Sequence, residues 1–137
     1  MAYSTDTDLQ ANIPDILDFG ISAFTDEHDS AEDDINRELR AKWFYKLGLA
    51  GDMDATLLTA TQFKMASVYL VLWKYALPQL TNWVDNDRFL NMIDFYKQRY
   101  GEEMAAIFAD GVEYDRDNDG SVTLEEKKAV ANGRLVR

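Results

Sequence analysis

The chain has no cysteine, only two prolines and a single histidine among its 137 residues. Without cysteine, disulfides and thiolate metal sites are excluded. One histidine cannot form a zinc-binding pair, and no Gly-rich phosphate loop or nucleophile motif occurs, so catalysis is not expected. That histidine, His28, lies in an acidic stretch and is expected to be a solvated loop residue. Positive charge is scarce as well: 14 Lys and Arg stand against 25 Asp and Glu, for a net charge of −11. Residues 1–36 hold ten acids and no Lys or Arg. Such a body lacks the basic face that ordinary nucleic-acid binding needs. The one long apolar run, Val68 to Trp73, falls far short of the roughly 20 residues of a membrane span. No basic start followed by an apolar stretch opens the sequence, so the expected setting is a reducing cytoplasm.

What is present is helical periodicity. A 47% hydrophobic content in a chain of this length suffices for one domain with its own core. Thr5 or Thr7 is placed to cap a short helix with Leu9 and Ile13 inward, followed by a turn or short helix from Pro14 to Phe19. Residues 25–34 read as an acidic loop leading into a helix, with Ser30 and Asp33 resembling a capping box. Ile35, Leu39, Trp43 and Leu47 then form one apolar stripe, and Gly48 ends it. Thr59 and Gln62 suggest the cap of a central helix from about Ala60 to Leu77. It is apolar on nearly all sides and is stopped by Pro78. Phe89, Ile93, Tyr96, Tyr100, Met104, Ile107 and Phe108 mark the inner face of a helix of about twenty residues. Asp85 or Asn86 would cap it and Gly111 would end it. The acid pairs Asp33-Asp34 and Glu102-Glu103 read as solvated faces. The predicted fold class is therefore all-α. A single-domain helical bundle fills residues 1–126, followed by a basic tail, 127–137, that carries Lys127, Lys128, Arg134 and Arg137 and no acid.

The sharpest motif is Asp115-Arg-Asp-Asn-Asp-Gly-Ser-Val-Thr-Leu-Glu-Glu126, which fits an EF-hand calcium loop at every ligand position. Asp115, Asp117 and Asp119 take positions one, three and five. Gly120 stands where the chain must turn sharply, and Ser121 offers its backbone carbonyl. Thr123 falls where water often serves, and Glu126 closes the loop with two oxygens. Hard oxygen donors at this spacing suit Ca²⁺. The flanks are less typical. Gly111 and Lys127 occupy places where the two helices of a hand usually present large apolar residues. Leu58-Thr-Ala-Thr-Gln-Phe63 resembles the second half of another loop, but Gly51, Met53 and Ala55 supply no donor side chains. This weakly resembles the silent hand of sarcoplasmic calcium-binding proteins. A solitary loop points to a structural clip; the alternative is a degenerate EF-hand protein acting as buffer or sensor.

Two stretches carry a further likeness. Met1-Ala-Tyr-Ser-Thr-Asp-Thr-Asp-Leu-Gln-Ala-Asn-Ile-Pro-Asp15 and Asp34-Ile-Asn-Arg-Glu-Leu-Arg-Ala-Lys-Trp-Phe44 resemble the opening and first long helix of small tailed-bacteriophage head-to-tail connector proteins, the adaptor or head-completion family. The apolar central helix and the helix bearing Tyr96 and Tyr100 are similar to that family's plan. Gly111-Val-Glu-Tyr-Asp115 with its Asp-rich turn matches the end of some members. The resemblance implies a virion structural protein at the head-tail junction, made in the host cytoplasm. It implies a homo-oligomeric ring, a dodecamer, bridging the portal protein to a tail-side connector or terminator protein. DNA would pass through an acidic lumen that repels phosphate.

Overall fold

A computed structural model describes residues 2–47, 51–80 and 88–115 of the chain. Its architecture is an all-α single-domain bundle. Helix α1 (Asp6–Asn12) is short, and Asp8 accepts from the backbone N–H of its N-cap, Thr5, at 2.9 Å. That bond satisfies a donor the helix leaves orphaned. Leu9 and Ile13 point inward as their spacing predicts. A 3₁₀ turn, Ile16–Asp18, follows.

Helix α2 spans Thr25–Lys42, so residues 25–34 are helix and not an acidic loop, and Ser30 lies inside it. The reason is a cap from a distant part of the chain. The Asp6 carboxylate accepts from the N–H of Phe24, the residue at the N-cap, with its oxygens at 3.1 and 3.3 Å. Asp26 and Glu27 add negative charge to the first turn, where the helix dipole favours it. Ile35, Leu39 and Trp43 are buried as expected. The helix ends at Lys42 and passes into a 3₁₀ turn, Phe44–Leu47, earlier than the predicted end at Gly48, which lies outside the described residues.

The central helix is built from three pieces. Helix α3 (Lys64–Leu70) runs into a π-helical segment, Val71–Ala76, and then into α4 (Leu77–Leu80). Ala66, Ser67, Val68, Leu70, Val71, Leu72, Ala76 and Leu77 are all buried along it, which fits its nearly continuous apolar sequence. Pro78 does not stop this helix, contrary to the sequence expectation. In an α-helix its ring would strike the carbonyl four residues back, at Lys74. The wider π turns fall there instead. The Gln79 side chain donates to the Tyr75 carbonyl at 2.8 Å, satisfying an acceptor near the break.

Helix α5 (Arg88–Asp110) packs along α3, the π segment and α4. Tyr96, Met104 and Ile107 are buried, and Phe89, Ile93, Tyr100 and Phe108 pack against the core, as their spacing predicts. Its proposed caps, Asp85 and Asn86, lie outside the described residues. Gly111 closes it with φ +106, a conformation that favours glycine, and its N–H donates to the Ile107 carbonyl at 3.0 Å.

Two tyrosines tie the helices to α2. Tyr75 donates to the Asp34 carboxylate, which also pairs with Lys74 at 2.9 Å, and Tyr100 donates to Glu38 at 2.7 Å. Asp34 is thus a bound partner and not part of a solvated face. Burial, then the carboxylate hydrogen bond, pushes the Tyr75 hydroxyl up to about 12, and burial with Glu38 raises Tyr100 too. Unfolded phenols ionise near 10.0. The stability these groups contribute is therefore complete below pH 10 and is lost as pH climbs towards 12. The melting temperature should fall across that window, with phenolate absorbance rising in step with loss of helical circular dichroism. Tyr100→Phe should blunt the alkaline slope.

Candidate functional site

Of the proposed calcium ligands, Asp115 is the one the structure describes; Asp117, Asp119, Ser121 and Glu126 lie outside the described residues. No cluster of three or more metal-ligating side chains occurs among the described residues. What the structure does give is the way the chain enters the loop, and that entrance is fixed from several directions.

After α5 the chain runs antiparallel to the segment that leads into the central helix, with a single bridge between Leu58 and Tyr114. Thr59 N–H donates to the Glu113 carbonyl at 3.0 Å, and Asp115 N–H donates to the Leu57 carbonyl at 2.9 Å. The Gln62 amide extends this ladder. Its Nε2 donates to the Gly111 carbonyl at 3.0 Å, and its Oε1 accepts from Glu113 N–H at 2.9 Å. Gln62 is therefore not a helix-capping residue but a side-chain rung on either side of Val112, which is wholly buried. Tyr114 completes the anchor. Its ring meets Trp43 edge-on at 5.5 Å and Phe44 at 5.7 Å, and its hydroxyl accepts from Asp54 N–H at 3.1 Å. Asp54 in turn accepts from Thr56 N–H, fixing the 3₁₀ turn Ala55–Leu57.

The consequence for Asp115 is positional. Its backbone is held by the ladder, and the residue is buried, 8% exposed. A proposed first ligand with its backbone already fixed in space would suit an ion that needs several hard oxygens at once. The donor set of the sequence, four carboxylates and a backbone carbonyl, fits Ca²⁺ chemistry.

A second constellation went unseen in the sequence. His28 is 3% exposed inside α2, not a solvated loop residue. Its Nε2 lies 3.0 Å from Asp6 Oδ1, its Nδ1 lies 2.7 Å from Ser4 Oγ, and Ser4 Oγ lies 2.7 Å from Ser67 Oγ. One proton order satisfies every member: Ser67 donates to Ser4, Ser4 donates to Nδ1, and Nε2–H donates to Asp6. The line contains a hydroxyl, an imidazole and a carboxylate, the parts of a nucleophilic triad. Ser4 is 3% exposed and Ser67 fully buried, so the hydroxyls face packed protein. The arrangement acts as a latch joining the N-terminal segment, α2 and the central helix. Serine, aspartate and histidine far apart in sequence carry no periodic signal that would have revealed it.

Among the described residues, no helix is long and apolar enough to cross a membrane. Comparison with family models, curated proteins and solved structures finds no match for this chain.

Proposed function

We propose that the chain is a non-catalytic structural subunit whose Asp115–Glu126 loop is a calcium clip, and that it serves as a head-to-tail connector subunit. The observation that carries the clip is the ladder at the loop entrance. A calcium sensor must let its helices swing apart to expose a groove. Here the end of α5 is stitched through Glu113, Tyr114 and Asp115 to Leu57, Thr59 and Asp54, and through Gln62 to Gly111. A cation at Asp115 reinforces that seam, which favours the clip over the sensor.

The connector reading rests on the sequence likeness and on charge. A ring of copies, each at −11, repels DNA phosphates from its lumen and lets the duplex slide. Portal on one side and a tail-side connector or terminator on the other are the partners it calls for. The test is mass measurement of the purified chain alone and mixed with a portal ring. Co-migration in a defined stoichiometry supports the reading, and a chain that ignores every portal ring while opening on calcium overturns it.

The metal has its own test. Calcium should raise the melting temperature relative to chelator. Glu126→Gln removes the bidentate ligand and should weaken binding by about 100-fold, or about 2.7 kcal/mol. Thermal melts read the change in melting temperature, and calorimetric titration reads the loss of affinity. A melting temperature indifferent to both calcium and Glu126→Gln would remove the site.

A further inference from the structure

Side chains hold the N-terminal arm, residues 2–19, to the rest of the molecule. Among the described residues, no backbone-to-backbone hydrogen bond joins the arm to another part of the chain; those of residues 5–18 close turns within it. The grip is nevertheless specific. Tyr3 donates to the Asn36 amide oxygen at 2.5 Å, and its ring lies 5.3 Å from that of Phe63. Ser4 reaches His28 and Ser67, Asp8 pairs with Lys64 at 3.2 Å, and the Phe19 ring meets that of Phe89 edge-on at 5.0 Å. Leu9, Ile13 and Ile16 are buried in the core. Without the arm, the buried Asn36, His28 and Ser67 lose the partners it supplies. Its seat is therefore a groove that fits one sequence, and every copy of the chain carries that sequence.

We infer that the arm is exchanged between copies of this chain: residues 2–19 of one copy occupy the seat on a second. The contacts are the same in either chain, so their energy is unchanged by exchange, and the linker and the concentration decide. The linker is the non-helical stretch 20–23, with Gly20, Ser22 and Ala23 exposed. Gly20 sits at φ +103, a turn conformation that glycine exchanges for extended backbone without steric penalty. Straightened, the chain from Phe19 to Phe24 spans at most about 17 Å, which places the starts of the two α2 helices close together in the exchanged pair. A short link keeps a chain's own arm at an effective concentration on the order of millimolar. Exchange is thus expected where copies are packed at that density and not in dilute solution. Reciprocal exchange gives a dimer, and exchange passed from copy to copy gives a closed ring. Exchange itself does not depend on the connector reading; its use in a ring does.

The Ser4 and Ser67 hydroxyl oxygens are 2.7 Å apart, so cysteines at these positions are placed to bond, and the chain has no cysteine of its own. Ser4→Cys chains mixed with Ser67→Cys chains at about 1 mM should form a heterodimer linked between positions 4 and 67, with helical circular dichroism retained. Thr7→Cys mixed with Ser67→Cys is the control, because Thr7 is exposed on the same arm. The expected advantage over the control is at least about tenfold in rate, and it should grow with salt, which screens the repulsion between chains at −11. Ser4→Cys and Ser67→Cys on one chain should close intramolecularly in dilute solution, which checks the geometry. Given that closure, a mixture that links no faster than the control overturns the inference. The second measurement needs no disulfide. Deleting residues 21–23 removes the slack that lets an arm fold back on its own chain, so the shortened chain should be a dimer or a larger ring at micromolar concentration. A folded monomer of the shortened chain overturns the inference, and this measurement decides alone if the one-chain pair does not close. Mixing with a portal ring tests the connector reading separately: exchange without portal binding removes that reading and leaves this one standing.

Discussion

Replacing Tyr114 with alanine is expected to lower folding stability by about 3–5 kcal/mol, the range for truncating a large buried ring. The residue is 5% exposed and wedged against Trp43 and Phe44. Its removal opens a cavity where the end of α2 meets the end of α5, and it strands the Asp54 N–H that donates to the hydroxyl. Neighbours cannot close the cavity easily, because Tyr114 sits in the Leu58 bridge with its backbone fixed on both sides. Small domains are stable by only about 5–15 kcal/mol, so the variant should be close to unfolding at moderate temperature. Tyr114→Phe isolates the polar part: the ring stays, the acceptor goes, and the cost should be about 1 kcal/mol. Urea titration reads both as shifts of midpoint at constant slope. A loss below about 1 kcal/mol for Tyr114→Ala would mean that the loop entrance is held by its backbone ladder alone. Because Tyr114 precedes the first proposed ligand, the alanine variant should also lose much of the calcium-dependent rise in melting temperature, even at temperatures where the helices remain folded.

The parts of the fold that were legible in the sequence are those set by local periodicity. The Ile35, Leu39, Trp43 stripe and the Tyr96, Met104, Ile107 face are buried as their spacing predicts, because the 3.6-residue repeat alone decides which way they point. The parts that were misread depend on residues distant in sequence. Ser30 resembles a cap only while Asp6 is out of view; once Asp6 holds the Phe24 N–H, the helix begins six residues earlier. Pro78 reads as a stop on propensity, yet the burial of Val71, Leu72, Ala76 and Leu77 keeps the helix going, and π turns absorb the misfit. Gln62 shows the same limit at the candidate site. Its amide looks like a cap beside Thr59, whereas its partners are the backbone of Gly111 and Glu113. The proposed calcium loop rests on sequence alone, where ligand spacing is a local signal; past Asp115 it lies outside the described residues. The ladder that positions Asp115 has no such signal, since it joins segments more than forty residues apart.

His28→Ala should cost about 2–4 kcal/mol, and the argument is one of stranded groups more than of lost volume. In the native chain every polar atom of the Ser67–Ser4–His28–Asp6 line has a partner. Deleting the imidazole leaves the Ser4 hydroxyl buried without its nitrogen. It also takes from Asp6 one of the two contacts that hold this carboxylate over the start of α2, the other being the Phe24 N–H. A buried group without its partner costs about 1–3 kcal/mol, so two weakened sites and a cavity account for the range. Ser4→Ala leaves the buried His28 Nδ1 without its donor and should cost about 1–3 kcal/mol, whereas Ser67→Ala removes only a donor to Ser4 and should cost about 1 kcal/mol. The decisive measurement is the double variant Ser4→Ala with His28→Ala. If the line works as a unit, much of the Ser4 penalty is already incurred when His28 is gone, and the double variant should be less destabilised than the two single losses added together by at least about 0.5 kcal/mol. Strict additivity would mean that the serine and the histidine act separately, and that the N-terminal segment is held by its apolar residues, Leu9 and Ile13, and not by the latch.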